Sequence, residues 1–530
     1  MLLAKRIRSN NGGFLRLLAV LGTTILIIFP SSITFKKASA STITPPSDFK
    51  IISGVYTGNG TSQSITGIGF QPKFVIVKGD TAGINAVWRS DAMVGDTTAT
   101  MALAANITGG VTSLDADGFS VGSNATVNTA AVVYYYIAFG GVGGDIATGS
   151  YTGDGTDDRS ISGVGFQPAF VWIKGNLGGQ SGHWRSLVHS GDSSSYLADD
   201  EDGANFIQAF ETDGFQIGND NSVNQNLTTY YYVAFKDVPT QMQTGSYTGD
   251  GTDDRSISVQ SGFKPDYVWV KAASGFSPAT RNLKHTSYAV PTGENLTIFV
   301  NANELNHIQA LEANGFQIGT DNTVNQSSVV FNWVAWRHLP NVPAALGPAA
   351  LTNGSTGTDN TPTLQFSLSD PMVGETVRYQ VQIDDTSDFS SPVVDYTAAL
   401  ASQGAASFTV GQDPGSGSYT TGSSGQTLAL GSYYWRVLTI DQYTAPSSYT
   451  VANSGSVAFV LAASTVSLPN TGPDTIAWLF NLFPVLVLSN GLLLRSFNER
   501  LYQSFILGLL KKELVAKIRN ELEMMRRQRK

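Results

Sequence analysis

Short apolar runs broken by Gly, Asn, Asp and Ser recur along the chain from about residue 50 to residue 460. Phe74-Val75-Ile76-Val77-Lys78 predicts a strand whose approach is set by Pro72. Tyr134 to Phe139 is aromatic, aliphatic or Ala throughout, the pattern of a strand buried on both faces between two layers. Gly58-Asn59-Gly60 predicts a tight turn. Further on, Thr363–Leu368, Val377–Ile383 and Tyr434–Ile440 alternate with period two, as half-buried strands do. Ser407–Val410 and Ser456–Val460 add two more strands. The expected fold class is all-β, with helices confined to the two ends of the chain.

Three blocks recur in order. Gly54–Thr61 (Gly-Val-Tyr-Thr-Gly-Asn-Gly-Thr) returns as Gly149–Thr156 and Gly245–Thr252. Gly69–Lys78 returns as Gly165–Lys174 and Gly262–Lys271, and Asp117–Gly122 as Asp213–Gly218 and Asn314–Gly319. Each unit closes on an aromatic strand: Tyr134–Phe139, Tyr230–Phe235 or Phe331–Trp336. The period of about 96 residues is the size of a domain. This predicts tandem jelly-roll-like sandwiches over 41–143, 144–239 and 240–339. The blocks resemble a tandem domain of phage tail and virion proteins and of bacterial surface proteins, over residues 51–338. The resemblance implies surface recognition, with glycans as one ligand class.

Residues 340–463 differ. Val381–Phe389 and Gly431–Val437 resemble a fibronectin type III or bacterial immunoglobulin-like sandwich, which implies a spacer. Gly411–Gly425 is rich in Gly and Ser and predicts a long loop.

The ends carry targeting signals. Lys5, Arg6, Arg8 and Arg16 precede the apolar run Leu17–Phe29, and Ala38-Ser39-Ala40 supplies small residues for signal cleavage after Ala40. Residues 1–40 therefore predict a signal peptide. Near the other end, residues 475–495 are long and apolar enough to span a bilayer, although Pro484 and Asn490 interrupt the run. A basic, helically periodic tail at 496–530 follows, which predicts a cytoplasmic amphipathic helix. Leu468-Pro469-Asn470-Thr471-Gly472 stands in the linker 464–474, just before the span. It resembles the LPxTG sorting signal of sortase substrates. That implies cleavage after Thr471 and attachment to cell wall peptide, with the protein exposed at the cell surface. The tail is longer than the family's few basic residues, so permanent membrane anchoring stays open beside wall attachment.

Charge sharpens this division. The signal carries six basic and no acidic residues, and the chain after Thr471 carries ten basic and five acidic ones. Removing both from 32 basic and 41 acidic residues leaves 16 against 36, so the outward body is near −20. An acidic body argues against nucleic acid as a partner. The chain has no cysteine, which excludes disulfide staples and thiol chemistry.

Candidate chemistry is sparse. His183, His189, His285, His307 and His338 show no ligand spacing and read as surface or loop residues. Trp88-Arg89 and Trp184-Arg185 recur in two repeats, with Arg281 in that region of the third. An exposed Trp beside Arg would stack on a sugar or anion; a core Trp with a surface Arg is the competing reading. Asp154, Asp157, Asp158, Asp250, Asp253 and Asp254 lie in turn blocks and read either as turn caps or as calcium ligands. No other cofactor is expected. Nucleophile-elbow and P-loop motifs are absent. The leading expectation is a non-catalytic adhesion protein; an envelope stalk without a ligand and a surface glycan hydrolase are the alternatives.

Overall fold

Alternation along the strands decides the layers. In the first repeat, Lys50–Thr57, Val133–Gly140, Pro72–Gly79, Val87–Ser90 and Ala99–Thr100 form an antiparallel sheet in that order. A smaller sheet, Gln63–Thr66, Gly118–Val121 and Val111–Asp115, covers one face of it. Val75, Val77, Tyr134 and Tyr136 point toward that small sheet and meet Phe119, Val121 and Val127. The second and third repeats have the same order, and the third adds Glu304–Leu305 to its large sheet. The computed structural model describes residues 49–464 except 142–143, 198–199, 274–282, 298–303 and 373. The expected signal with Ala38 and Ala40, the sorting motif, the span and the basic tail lie outside the described residues. Among the described residues no helix is long and apolar enough to cross a membrane.

The other face of each large sheet turns to a centre that all three repeats share. Phe74, Ile76, Trp88 and Phe139 from the first repeat lie in one buried cluster with Phe170, Trp172, Trp184 and Phe235 from the second and Tyr267, Trp269 and Trp336 from the third. Equivalent residues touch: Phe139–Phe235, Phe139–Trp336 and Phe235–Trp336 have ring centroids 5.4, 5.7 and 5.8 Å apart. Such contacts place a pseudo-threefold axis among these rings. Phe49, ahead of the first strand, packs on Phe139 and Phe235 at 6.1 and 5.9 Å. The expectation of successive sandwiches holds for each repeat's own two layers. The repeats are nevertheless not separate bodies, because the second face of every large sheet is buried only by the other two repeats. This explains why Tyr134–Phe139 and its copies carry so few polar side chains.

The seams between repeats are cyclic. Lys174 Nζ donates to Ala104 O of the first repeat at 3.1 Å, and Lys271 Nζ donates to Asp200 O of the second at 2.8 Å. Lys78 lies in the field of Glu304 of the third, which completes the ring. All three lysines are buried. Ser53 N–H donates to Tyr288 Oη at 2.9 Å and Gln241 Nε2 to Phe49 O at 2.7 Å, joining the first repeat to the third. The repeated Gly54, Gly149 and Gly245 serve the fold too: a Cβ there would collide with Tyr136, Tyr232 or Trp333.

Residues 344–461 form a sandwich of two sheets. One holds Ala344–Gly347, Thr363–Leu368 and Gly404–Thr409. The other runs Ser355–Gly357, Phe459–Leu461, Gly431–Asp441, Thr376–Asp384, Val394–Thr397 and Ser418–Thr421. Ser355–Gly357 pairs in parallel with the last strand, and all other pairs within these two sheets are antiparallel. With Trp435 fully buried between the sheets, this is the immunoglobulin-like arrangement. Part of the expected loop Gly411–Gly425 is instead ordered as the edge strand Ser418–Thr421, which pairs with Val394–Thr397.

A shared core predicts shared unfolding. In denaturant titration, the tryptophan fluorescence and circular dichroism of the three repeats should change in one transition. Trp172→Ala should lower stability by about 3–5 kcal/mol and shift that whole transition rather than release the second repeat alone.

Candidate functional site

The turn blocks are built for closure. Asp154 Oδ1 accepts from Thr156 N–H at 2.9 Å and from its hydroxyl at 2.7 Å, while Oδ2 lies 3.3 Å from Arg159 Nε. Asp250 makes the same set with Thr252 and Arg255. The backbone and hydroxyl bonds from Thr156, then Arg159, hold the Asp154 carboxyl below its ordinary value. In the first repeat the neutral Asn59 closes the same turn on Thr61. Asp157 and Asp253 each accept from a glutamine, Gln208 and Gln309. Asp158 and Asp254 take the left-handed conformation, φ 55°. The geometry favours turn capping, and none of these six aspartates belongs to a set of three close carboxylates or imidazoles among the described residues.

A buried asparagine, one per repeat, holds these turns. Asn128, Asn224 and Asn325 end single-turn helices Ala125–Asn128, Asn221–Asn224 and Asn322–Asn325, and all are buried. Asn224 Oδ1 accepts from Asp154 N–H at 2.9 Å, and its Nδ2 donates to Thr156 O at 2.7 Å. Asn325 does the same for Asp250 and Thr252. The recurring Val-Asn pair in all three repeats is the signal that marks them.

The Trp-Arg pairs are not a ligand platform. Trp88 and Trp184 are 0% exposed and lie in the shared aromatic core, paired across the sheet with Ile76 and Trp172. Arg89 and Arg185 are buried as well. Arg89 donates to the carbonyls of Met93, Thr97 and Gly95, and Arg185 to those of Ser193, Ile207 and Gly191. Each guanidinium thus staples a loop, since its five donors suit several carbonyls at once. Arg281 lies outside the described residues.

The histidines also depart from expectation: all five side chains are buried. His183 stacks on Phe206 at 3.9 Å, and burial pushes its pKa down to about 3. His285 is likewise pushed to about 3 by burial and bonds Tyr267 Oη at 3.0 Å. His189, Ser195 and Asp202 converge like a hydrolytic triad but are oriented otherwise. His189 Nδ1 accepts from Ser186 N–H at 3.1 Å, so Nε2 carries the proton toward Ser195 Oγ at 2.9 Å. Ser195 in turn donates to Asp202 at 2.5 Å. The imidazole therefore cannot take the Ser195 proton in this arrangement, and Asp202 is held from the third repeat by Asn332 Nδ2 at 3.0 Å.

The surface feature best suited to a ligand is a cleft of about 510 Å³ in the first repeat, where Pro72–Gly79, Val87–Ser90 and Val111–Asp115 end. Phe70 offers a partly exposed ring, and Lys50, Gln71, Lys73, Asp91 and Ser113 offer polar groups. The first strand of the second repeat helps fix them: Lys73 Nζ donates to Ile146 O at 3.1 Å, and Thr148 Oγ1 donates to Asp91. Gln71 Nε2 donates to Leu114 O at 3.1 Å. An aromatic ring among fixed polar groups of both signs suits an uncharged ligand rich in hydroxyl or amide groups. The equivalent segment of the third repeat, Gly262–Asp266, is covered by the immunoglobulin-like sandwich, where Lys264 Nζ donates to Tyr443 Oη at 3.0 Å.

Buried neutral histidines predict acid sensitivity. Unfolding returns His183 and His285 to a pKa of about 6.5, so the unfolded chain binds more protons between pH 6.5 and about 3. Stability should fall as pH drops through that window. In thermal melts from pH 7 to pH 4, His183→Phe, whose ring keeps the stack on Phe206, should lose melting temperature less steeply than the parent.

No curated protein matches the chain. A family model matches it three times in succession, over residues 45–147, 142–238 and 237–368, in step with the three repeats and reaching into the sandwich that follows. The chain belongs to the family described as a domain of unknown function, DUF7483.

Proposed function

We propose that this protein is a non-catalytic binding protein of the bacterial cell surface, anchored through its C-terminal end. Its pseudo-threefold body recognises a glycan through the cleft at Phe70, and the immunoglobulin-like sandwich is the spacer beneath it. The observation that carries the reading is the cleft itself: a partly exposed aromatic ring flanked by Lys50, Gln71, Lys73 and Asp91. Aromatic faces take up the apolar side of a sugar ring, while fixed polar groups pair with its hydroxyls. The sorting-like run Leu468–Gly472, followed by an apolar stretch and a basic tail, supports export and anchoring. Thr471 is the residue joined to cell wall peptide by a sortase.

Residues 41–463 probed on a glycan array should bind a restricted set of glycans. Phe70→Ala and Gln71→Ala should each weaken that binding by about tenfold, roughly 1.4 kcal/mol, with an unchanged circular dichroism spectrum. Silence across the array and on whole cells would favour a purely structural envelope role. Anchoring is read separately, by mass spectrometry of the mature C-terminus: a wall peptide joined to Thr471 is expected, whereas an intact Lys530 would show membrane anchoring alone.

A further inference from the structure

The third repeat meets the immunoglobulin-like sandwich through a buried charged cluster. His338 lies just beyond the last strand of the third repeat, Val330–Trp336. Its Nδ1 is 2.7 Å from Asp266 Oδ2 and its Nε2 is 2.9 Å from Asp370 Oδ1. Asp370 and Glu375 come from the sandwich, and one ligand atom from each lies within 4.8 Å of the others and of His338. Two carboxylate oxygens of this cluster have no hydrogen-bond partner, Asp370 Oδ2 and Glu375 Oε2. The Asp370 side chain is 0% exposed. Its other oxygen is already used by His338 and by Met372 N–H at 2.8 Å, and Glu375 Oε1 faces Lys264 at 3.8 Å.

A bare carboxylate oxygen in a buried site is costly. Asp266, Asp370, Glu375 and the nearby Asp441 make four carboxylates, against Arg337, Lys264 and the His338 ring, which, against the opposing effect of burial, Asp266 and Asp370 hold in its charged form. The imbalance favours a further positive charge at the centre.

We propose that His338 Nε2, Asp370 and Glu375 form a binding site for a divalent transition-metal ion of the Zn²⁺ or Mn²⁺ type, which displaces the Nε2 proton to solvent as it binds and ties the sandwich to the third repeat. One imidazole nitrogen with two carboxylates suits such ions better than Ca²⁺, which prefers a larger, all-oxygen set. Asp266 supplies the outer support: a carboxylate on Nδ1 orients a ligating imidazole and raises its basicity. A groove of about 380 Å³, lined by His338, Pro340, Pro371 and Ser447, gives an ion a path to the site. The first two repeats carry Lys73 and Ala169 where the third has Asp266, so the site can form only once.

The test is calorimetric titration of the full, untagged chain in mild detergent with ZnCl₂ after chelator treatment. One saturable site per chain is expected. Asp266→Asn should weaken it by about tenfold and Glu375→Gln by about tenfold or more. The Glu375→Gln variant gives up only the 3.8 Å contact to Lys264 among the cluster's contacts, and circular dichroism checks that both variants fold. Ca²⁺ should bind at least about tenfold more weakly than Zn²⁺. No saturable Zn²⁺ binding, or binding unchanged in both variants, would overturn the site and leave a latch of charged side chains alone. Equal affinity for Ca²⁺ would overturn the assignment of ion class.

Discussion

Three equivalent aromatic residues, Phe139, Phe235 and Trp336, meet on one axis, and most of the architecture follows from that contact. A five-stranded sheet covered on one side by three short strands leaves a broad apolar face uncovered. A repeat alone could not keep that face out of water. Three repeats in one chain solve the problem by closing on one another. The face then becomes a core in which Trp88, Trp172, Trp184 and Trp269 pack with the phenylalanines. Covalent linkage makes this association intramolecular, so it does not depend on protein concentration.

Closure also accounts for buried charges that would otherwise be expensive. Lys174 and Lys271 sit under the seams and donate to carbonyls of the preceding repeat. Burial lowers the pKa of Lys78 and of Lys174 to about 8, with the neighbouring carboxylates Asp80 and Glu304 opposing that shift at Lys78. Such groups are tolerated because each ammonium finds backbone acceptors. Asp202, raised to about 6 mainly by burial, has a similar part between the second and third repeats. The seams therefore discriminate: a repeat placed out of register would leave these groups without partners.

The symmetry is broken where function can enter. Lys264 and Asp266 in the third repeat replace Gln71 and Lys73 of the first. They meet Tyr443 and, through His338, Asp370 of the immunoglobulin-like sandwich. The corresponding segment of the first repeat borders the cleft at Phe70, and its Gly69 and Phe70 also line the groove toward Pro371 and Ser447 of the sandwich. A few substitutions on a repeated frame thus separate an attachment face from an accessible one.

The threefold repeat, the all-β class and the immunoglobulin-like module were legible from the sequence, because period-two alternation and recurring Gly-Asp-Gly turns are local properties of the chain. The turn-capping role of Asp154 and Asp250 was legible for the same reason, since its partners lie two and five residues away. What only the tertiary structure decided is which face of each strand meets which neighbour. Trp184 and Arg185 offer a surface platform as the lesser reading beside core packing, until the third repeat closes over Trp184 and the carbonyls of Gly191 and Ser193 enclose Arg185. His183, His285 and His338 looked peripheral because their burial depends on partners from 18 to 72 residues distant. Sequence spacing carries the period of a strand; it does not carry the pairing of sheets, and burial and binding geometry are set by that pairing.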